Sequence, residues 1–128
     1  MESLTLELIT WRVRAARRRS LHAPDWLERA RDYLHDNFSR RMGLSAVAAA
    51  IGRHPAHVAQ HFRRRYGLSI GEYVRRLRVD HVARRLVSSR ASLAELAGEA
   101  GFTDQSHMQR IFKAQLGVTP GAYRRARE

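Results

Sequence analysis

Cysteine is absent from all 128 residues, which removes disulfides, thiolate metal sites and thiol nucleophiles or acceptors together. Lysine is almost missing as well, Lys113 being the single one, so the basic charge is carried by arginine. Aromatic residues are few, at 8%. There is no sustained period-two alternation, little β-branching and no Asn-Gly or Asp-Gly turn, so strands are not expected and the chain reads as all-α. No apolar run approaches the ~18 residues of a membrane span. The opening residues Met1 to Thr5 place acid before the first apolar positions, unlike a secretory signal. A reducing cytoplasm is the expected location, and a mass of 14.7 kDa allows one domain or two very small ones.

Positive charge is abundant. Lys and Arg number 24 against 12 Asp and Glu, a formal net charge of +12 and an isoelectric point near 11.6. Such a chain attracts polyanions, nucleic acid first and anionic membrane second. The excess is uneven: residues 1–41 hold nine basic and six acidic residues, whereas 42–128 hold fifteen and six.

Breakers and turn residues at Pro24, Gly43, Gly52, Pro55, Gly67, Gly101, Gly117 and Pro120 cut the chain into helix-sized pieces. Residues 4–18 form an expected helix with Leu4, Leu8, Trp11 and Ala15 on one face, followed by an Arg-rich linker ending at Pro24. Asp25 can cap a helix whose apolar face is Trp26, Leu27, Ala30, Leu34 and Phe38. A short helix follows from Leu44 to Ile51, with Ser45 near its start. The next begins at Pro55 and turns Val58 and Phe62 inward. A longer one, residues 70–87, carries a stripe wider than one partner needs.

The chain repeats one pattern of residues. At an offset of 49, Leu44, Ala48 and Gly52 align with Leu93, Ala97 and Gly101. One residue then enters the turn, and at an offset of 50, His57, Phe62, Gly67, Gly71, Tyr73 and Arg75 align with His107, Phe112, Gly117, Gly121, Tyr123 and Arg125. Each copy is a short helix, a glycine turn and a longer helix, the layout of a helix-turn-helix. Ala48 and Ala97 allow the second helix to cross close to the first. Gly52 and Gly101 accept a turn that a side chain would oppose.

The second copy, from Ala97 through Gly101-Phe102-Thr103-Asp104-Gln105-Ser106-His107 to Phe112-Lys113, followed by Gly117-Val118-Thr119-Pro120-Gly121-Ala122-Tyr123-Arg124, resembles bacterial transcription regulators of the AraC/XylS type. The likeness spans about residues 26–127; its one visible departure is Met108, where the family often has an aromatic. The resemblance implies a homeodomain-like fold of about seven helices. Two helix-turn-helix subdomains are joined by a long central helix and bind successive major grooves on one face of double-stranded DNA. It also implies a capacity for activation, which would require a surface for RNA polymerase that no residue marks. Residues 25–128 are the expected DNA-binding domain, and 1–24 an N-terminal helix and linker, either a remnant of a sensor domain or a means of homodimerisation.

On this scheme His54, Ala56, His57, Ala59, Gln60 and Arg63 are the groove-facing candidates of the first unit. Gln60 suits an adenine edge, Arg63 guanine or phosphate, and the alanines only a thymine methyl. In the second unit the base-reading candidates are Gln105, Ser106, His107, Gln109 and Arg110. Phosphate positioning falls to Arg64, Arg65, Arg75, Arg76, Lys113, Arg124 and Arg125, and to a helix N-terminus beginning at Thr103, whose hydroxyl can cap.

No cofactor, metal or catalytic site is expected. His54, His57 and His61 could clamp zinc on one helix face, but the pattern suits structural or DNA-facing roles better. No Gly-x-Ser-x-Gly turn or phosphate-binding glycine loop is present, and the chemistry of related DNA repair proteins needs cysteine. The competing reading is a basic protein that adheres without specificity to nucleic acid or membrane surfaces.

Overall fold

The computed structural model describes residues 25–128, and their regular structure is entirely helical. Seven helices follow one another among the described residues: α1 Asp25–Asn37, α2 Leu44–Ile51, α3 Pro55–Tyr66, α4 Ile70–Ser88, α5 Leu93–Ala100, α6 Gln105–Leu116 and α7 Pro120–Arg125. The helix expected over 4–18, and with it any dimer contact, lies outside the described residues.

Local chemistry sets the helix ends. Ser69 and Glu72 form a reciprocal capping box at the start of α4, and Ser92 and Thr119 cap α5 and α7 through their hydroxyls. Pro55 and Pro120 occupy first-turn positions, where a missing N–H costs nothing. One expectation shifts: Asp25 is the first helical residue of α1 rather than its cap. The N-cap of α2 is Gly43, without a side-chain bond.

Two cores lie along the chain. The first gathers Trp26, Leu27, Ala30 and Leu34 of α1, Val47 and Ala48 of α2, Val58, Phe62 and Tyr66 of α3, and Ile70, Tyr73, Val74 and Leu77 of α4. The second takes Val79, Val82, Ala83 and Leu86 from the same α4, then Leu96, Ala97 and Ala100, Phe102, Met108, Phe112, Leu116 and Tyr123. Met108 is fully enclosed, so the departure at that position leaves the core filled.

Helix α4 therefore belongs to both halves. At about 100° per residue, its first apolar set (70, 73, 74, 77) and its second (79, 82, 83, 86) fall on roughly opposite faces. That is the origin of the wide stripe. An arginine also ties each half together across the chain. Arg78 Nε donates to the Phe38 carbonyl at 2.8 Å and its Nη2 to that of Arg40 at 3.0 Å. Arg124 likewise donates to Leu86 at 3.0 Å and Ser89 at 3.3 Å.

Candidate nucleic-acid interface

Helices α3 and α6 bury the same spacing of side chains. Val58, Phe62 and Tyr66 face inward from α3, and Met108, Phe112 and Leu116 from α6, each set at i, i+4 and i+8. The opposite faces are left to solvent. On α3 they present Ala56, His57, Gln60, Arg63 and Arg64, with His54 exposed at the N-cap and Ala59 half-buried. On α6 they present Gln105, Ser106, Arg110 and Lys113, with His107 and Gln109 half-buried. Each face is a convex, polar helix surface of the width a major groove admits.

The turn before each of these helices depends on glycine. Gly52 and Gly101 have φ of 70° and 92°, in the left-handed region where a Cβ is strained. The N–H groups of the following residues reach back into the first helix, Arg53 to Ala48 at 3.0 Å and Phe102 to Ala97 at 2.9 Å.

The two helices start on different electrostatic terms. At α3 the imidazole of His54 is the cap, its Nδ1 accepting the Ala56 N–H at 3.2 Å. At α6 the cap is Asp104, whose carboxylate accepts the His107 N–H at 2.8 Å. This corrects the expectation for Thr103: it lies outside the helix and does not cap it. A carboxylate occupies the position where free N–H groups were expected to meet phosphate, and it repels an anion there.

The rings on α3 and α6 are partly committed to the protein. His57 and His61 stack with centroids 4.3 Å apart, and Trp26 of α1 lies 5.4 Å from His57 and 5.5 Å from His61. The Arg53 guanidinium sits 5.4 Å above Trp26. His57 is thus exposed yet held in orientation by an element that its own helix does not contain. His107 stands edge-on to Phe102 at 5.5 Å, and its Nδ1 is enclosed without a hydrogen-bond partner, so only part of the ring faces outward.

Among the arginines, Arg64, Arg75 and Arg125 are exposed and Arg76 is half-buried. Arg75 and Arg125 repeat one geometry. A Cβ at Gly71 would lie 3.5 Å from Arg75 Nη1, and one at Gly121 3.3 Å from Arg125 Nη1, so both guanidinium groups fold back along the first turn of their helix. Three others have internal engagements. Arg124, expected among the phosphate contacts, spends Nε and Nη2 on the carbonyls of Leu86 and Ser89 at the end of α4, a structural engagement that Arg125 does not share. Arg65 is half-buried with its guanidinium 5.9 Å from the Tyr66 ring. Arg63 lies 3.4 Å from Glu72, whose carboxyl is held below its ordinary range by the Ser69 N–H and hydroxyl and, less strongly, by Arg63 itself.

Asp104, Trp26 and Arg53 were not among the expected interface residues. Asp104 had a signal, a carboxylate three residues before His107 at a helix start. The Trp26 contact crosses thirty-one positions of sequence and had none.

A family profile described as a helix-turn-helix domain matches residues 47–126. The HTH-type transcriptional activator AarP of Providencia stuartii is 30% identical over 92 residues, covering 72% of this chain and 68% of that one. Among solved structures, the C-terminal domain of AraT, a response regulator from Geobacillus stearothermophilus, superposes with a TM-score of 0.79 at 28% identity, over 81% of this chain and 87% of that one. The DNA-binding domain of the global transcriptional factor AdpA, solved in complex with a target DNA, gives 0.76 at 26% identity, over 80% and 93%.

Proposed function

The chain belongs to the AraC/XylS-type helix-turn-helix family of sequence-specific DNA-binding transcription regulators, and from that premise we propose that it is an activator that lays α3 and α6 into successive major grooves of one promoter segment in the bacterial cytoplasm. The observation that carries this is the doubled geometry: two helices with the same inward spacing, each with its outer face left exposed, mounted on one shared α4. Grooves entered by one rigid body from one side of a duplex are about 34 Å apart. The accepted site is therefore long and, because the two exposed faces differ, asymmetric.

Within that site Gln60, Gln105, Gln109 and Arg110 read base edges, with His54, Ala56, His57, Ser106 and His107 contributing contacts where their exposure allows. Arg64, Arg75, Arg76, Lys113 and Arg125 position the backbone. The half-buried Arg65 and the Glu72-paired Arg63 contribute less. Activation requires a further surface for RNA polymerase, and self-association through residues 1–24 would place two such domains on adjacent sites. The proposed role is regulatory, not enzymatic.

In vitro selection from a random duplex pool tests the proposal. A recovered asymmetric site of about two helical turns is the expected result. Equal affinity for all duplexes at every salt concentration, or equal competition by anionic vesicles, would replace it with non-specific polyanion binding.

A further inference from the structure

The two turn glycines are equivalent in sequence and in backbone shape, but not in surroundings. Around a Cβ added at Gly52 there is nothing within 4 Å. A Cβ at Gly101 would lie 2.6 Å from the carbonyl oxygen of Ser39 and under 3 Å from its carbonyl carbon and Cα. Gly52 is needed for its turn alone. Gly101 is needed for its turn and also because the loop after α1, in the first half, is seated directly on it.

That loop is held from both sides. The carbonyls flanking Ser39, those of Phe38 and Arg40, both accept from Arg78 of α4. One turn along the same helix, His81 packs its ring 5.7 Å from the Phe38 ring and donates through Nε2 to Glu99 Oε1 at 3.0 Å. Glu99 stands two residues before Gly101 and accepts a second bond from Arg85 at 2.7 Å. Arg78, His81 and Arg85 lie at i, i+3 and i+7, one face of α4. This face carries a ladder from the first half, at residues 38–40, to the second, at residues 99–101.

A shared helix alone leaves the halves free to bend and twist where its two apolar sets change over, between Leu77 and Val79. The ladder and the Ser39–Gly101 seat remove that freedom by adding contacts away from the helix axis. Each base pair of duplex rotates the groove by about a tenth of a turn, so the relative pose of α3 and α6 decides which spacing of half-sites fits. We propose that Ser39 seated on Gly101, together with the Phe38–His81–Glu99 bridge, is the ruler that sets the half-site spacing this protein accepts. The proposal rests on the two-groove reading above.

The test uses the full chain and duplexes built on its selected site, with one base pair inserted or removed between the two half-sites. Binding is read by fluorescence anisotropy, and folding by circular dichroism. The unaltered protein should lose about tenfold or more in affinity at either changed spacing, the scale of a mismatched base pair. Gly101→Ala and His81→Ala should narrow that discrimination to within about threefold. Gly52→Ala, which carries the same left-handed strain in open space, lowers affinity across the panel but keeps the roughly tenfold preference. If Gly101→Ala does not fold, His81→Ala decides alone. Discrimination as tight as the unaltered protein's in His81→Ala, or an equal loss of preference in Gly52→Ala and Gly101→Ala, overturns the ruler. If the unaltered protein shows no spacing preference, the two-groove reading itself fails, and this is visible before any substitution is made.

Discussion

Phe112 stands edge-on to Tyr123, with ring centroids 5.5 Å apart and planes at 82°. Fifty residues earlier Phe62 meets Tyr73 in the same way, at 5.3 Å and 84°. In each half this pair locks α3 or α6 to the helix that follows it. Phe112→Ala should cost about 3–5 kcal/mol, from lost burial and the cavity left behind. Against a total stability of the order of 5–15 kcal/mol, that is enough to shift the urea midpoint severely, which circular dichroism would record.

Arg124 and Arg125 are neighbours with opposite assignments, and their alanine variants should separate cleanly. Arg124→Ala removes the donors to Leu86 and Ser89 and should lower thermal stability while leaving the salt dependence of DNA binding nearly unchanged. Arg125→Ala should leave stability alone, weaken all sequences evenly and reduce the salt slope by about 1. Equal salt slopes in the two variants would show that the assignment is wrong.

Asp104 serves its helix at the expense of an approaching phosphate. Asp104→Asn keeps a capping oxygen for the His107 N–H and removes the charge, so melting temperature should hold while non-specific DNA affinity rises. Asp104→Ala loses the cap as well, at about 1 kcal/mol of stability. A drop in DNA affinity for Asp104→Asn would mean that the carboxylate itself accepts from a base edge.

Arg110 is exposed on the outer face of α6 and, among the described residues, has no hydrogen bond or ion pair such as those of Arg63 and Arg124. Arg110→Ala should cost about 1–3 kcal/mol on the selected site and relax preference at one position. Repeating the selection with the variant checks this: an unchanged preference at every position would move Arg110 to the phosphate set.

Acid should loosen the bridge between the halves. Glu99 is held below its ordinary value of 4.5, first by the hydrogen bond from Arg85 and then by that from His81. A depressed carboxyl contributes stability that is present above its unfolded value and is lost as pH falls through the folded one. Glu99→Gln should therefore be less stable at neutral pH and lose less on acidification below about 4.5, as thermal melts across pH 3–7 would show.

Much of the fold was legible because the chain states it twice. The offsets that pair Phe62 with Phe112 and Tyr73 with Tyr123 are visible without coordinates, and so are the inward faces of α3 and α6. The interface was less legible, for identifiable reasons. Thr103 and Asp104 are both competent caps one residue apart, and only the register of α6 chooses between them. Arg124 looks like its neighbour until the carbonyl end of α4, more than thirty residues away, is seen beneath it. The glycine at 101 explains itself too readily as a turn, which hides Ser39.

Because α4 shows one apolar face to the first core and the opposite face to the second, neither half can melt without exposing a strip of the helix on which the other is built. The molecule should accordingly unfold as a single cooperative unit. A nick within α4 would then abolish both recognition surfaces at once, rather than liberate two smaller binding modules.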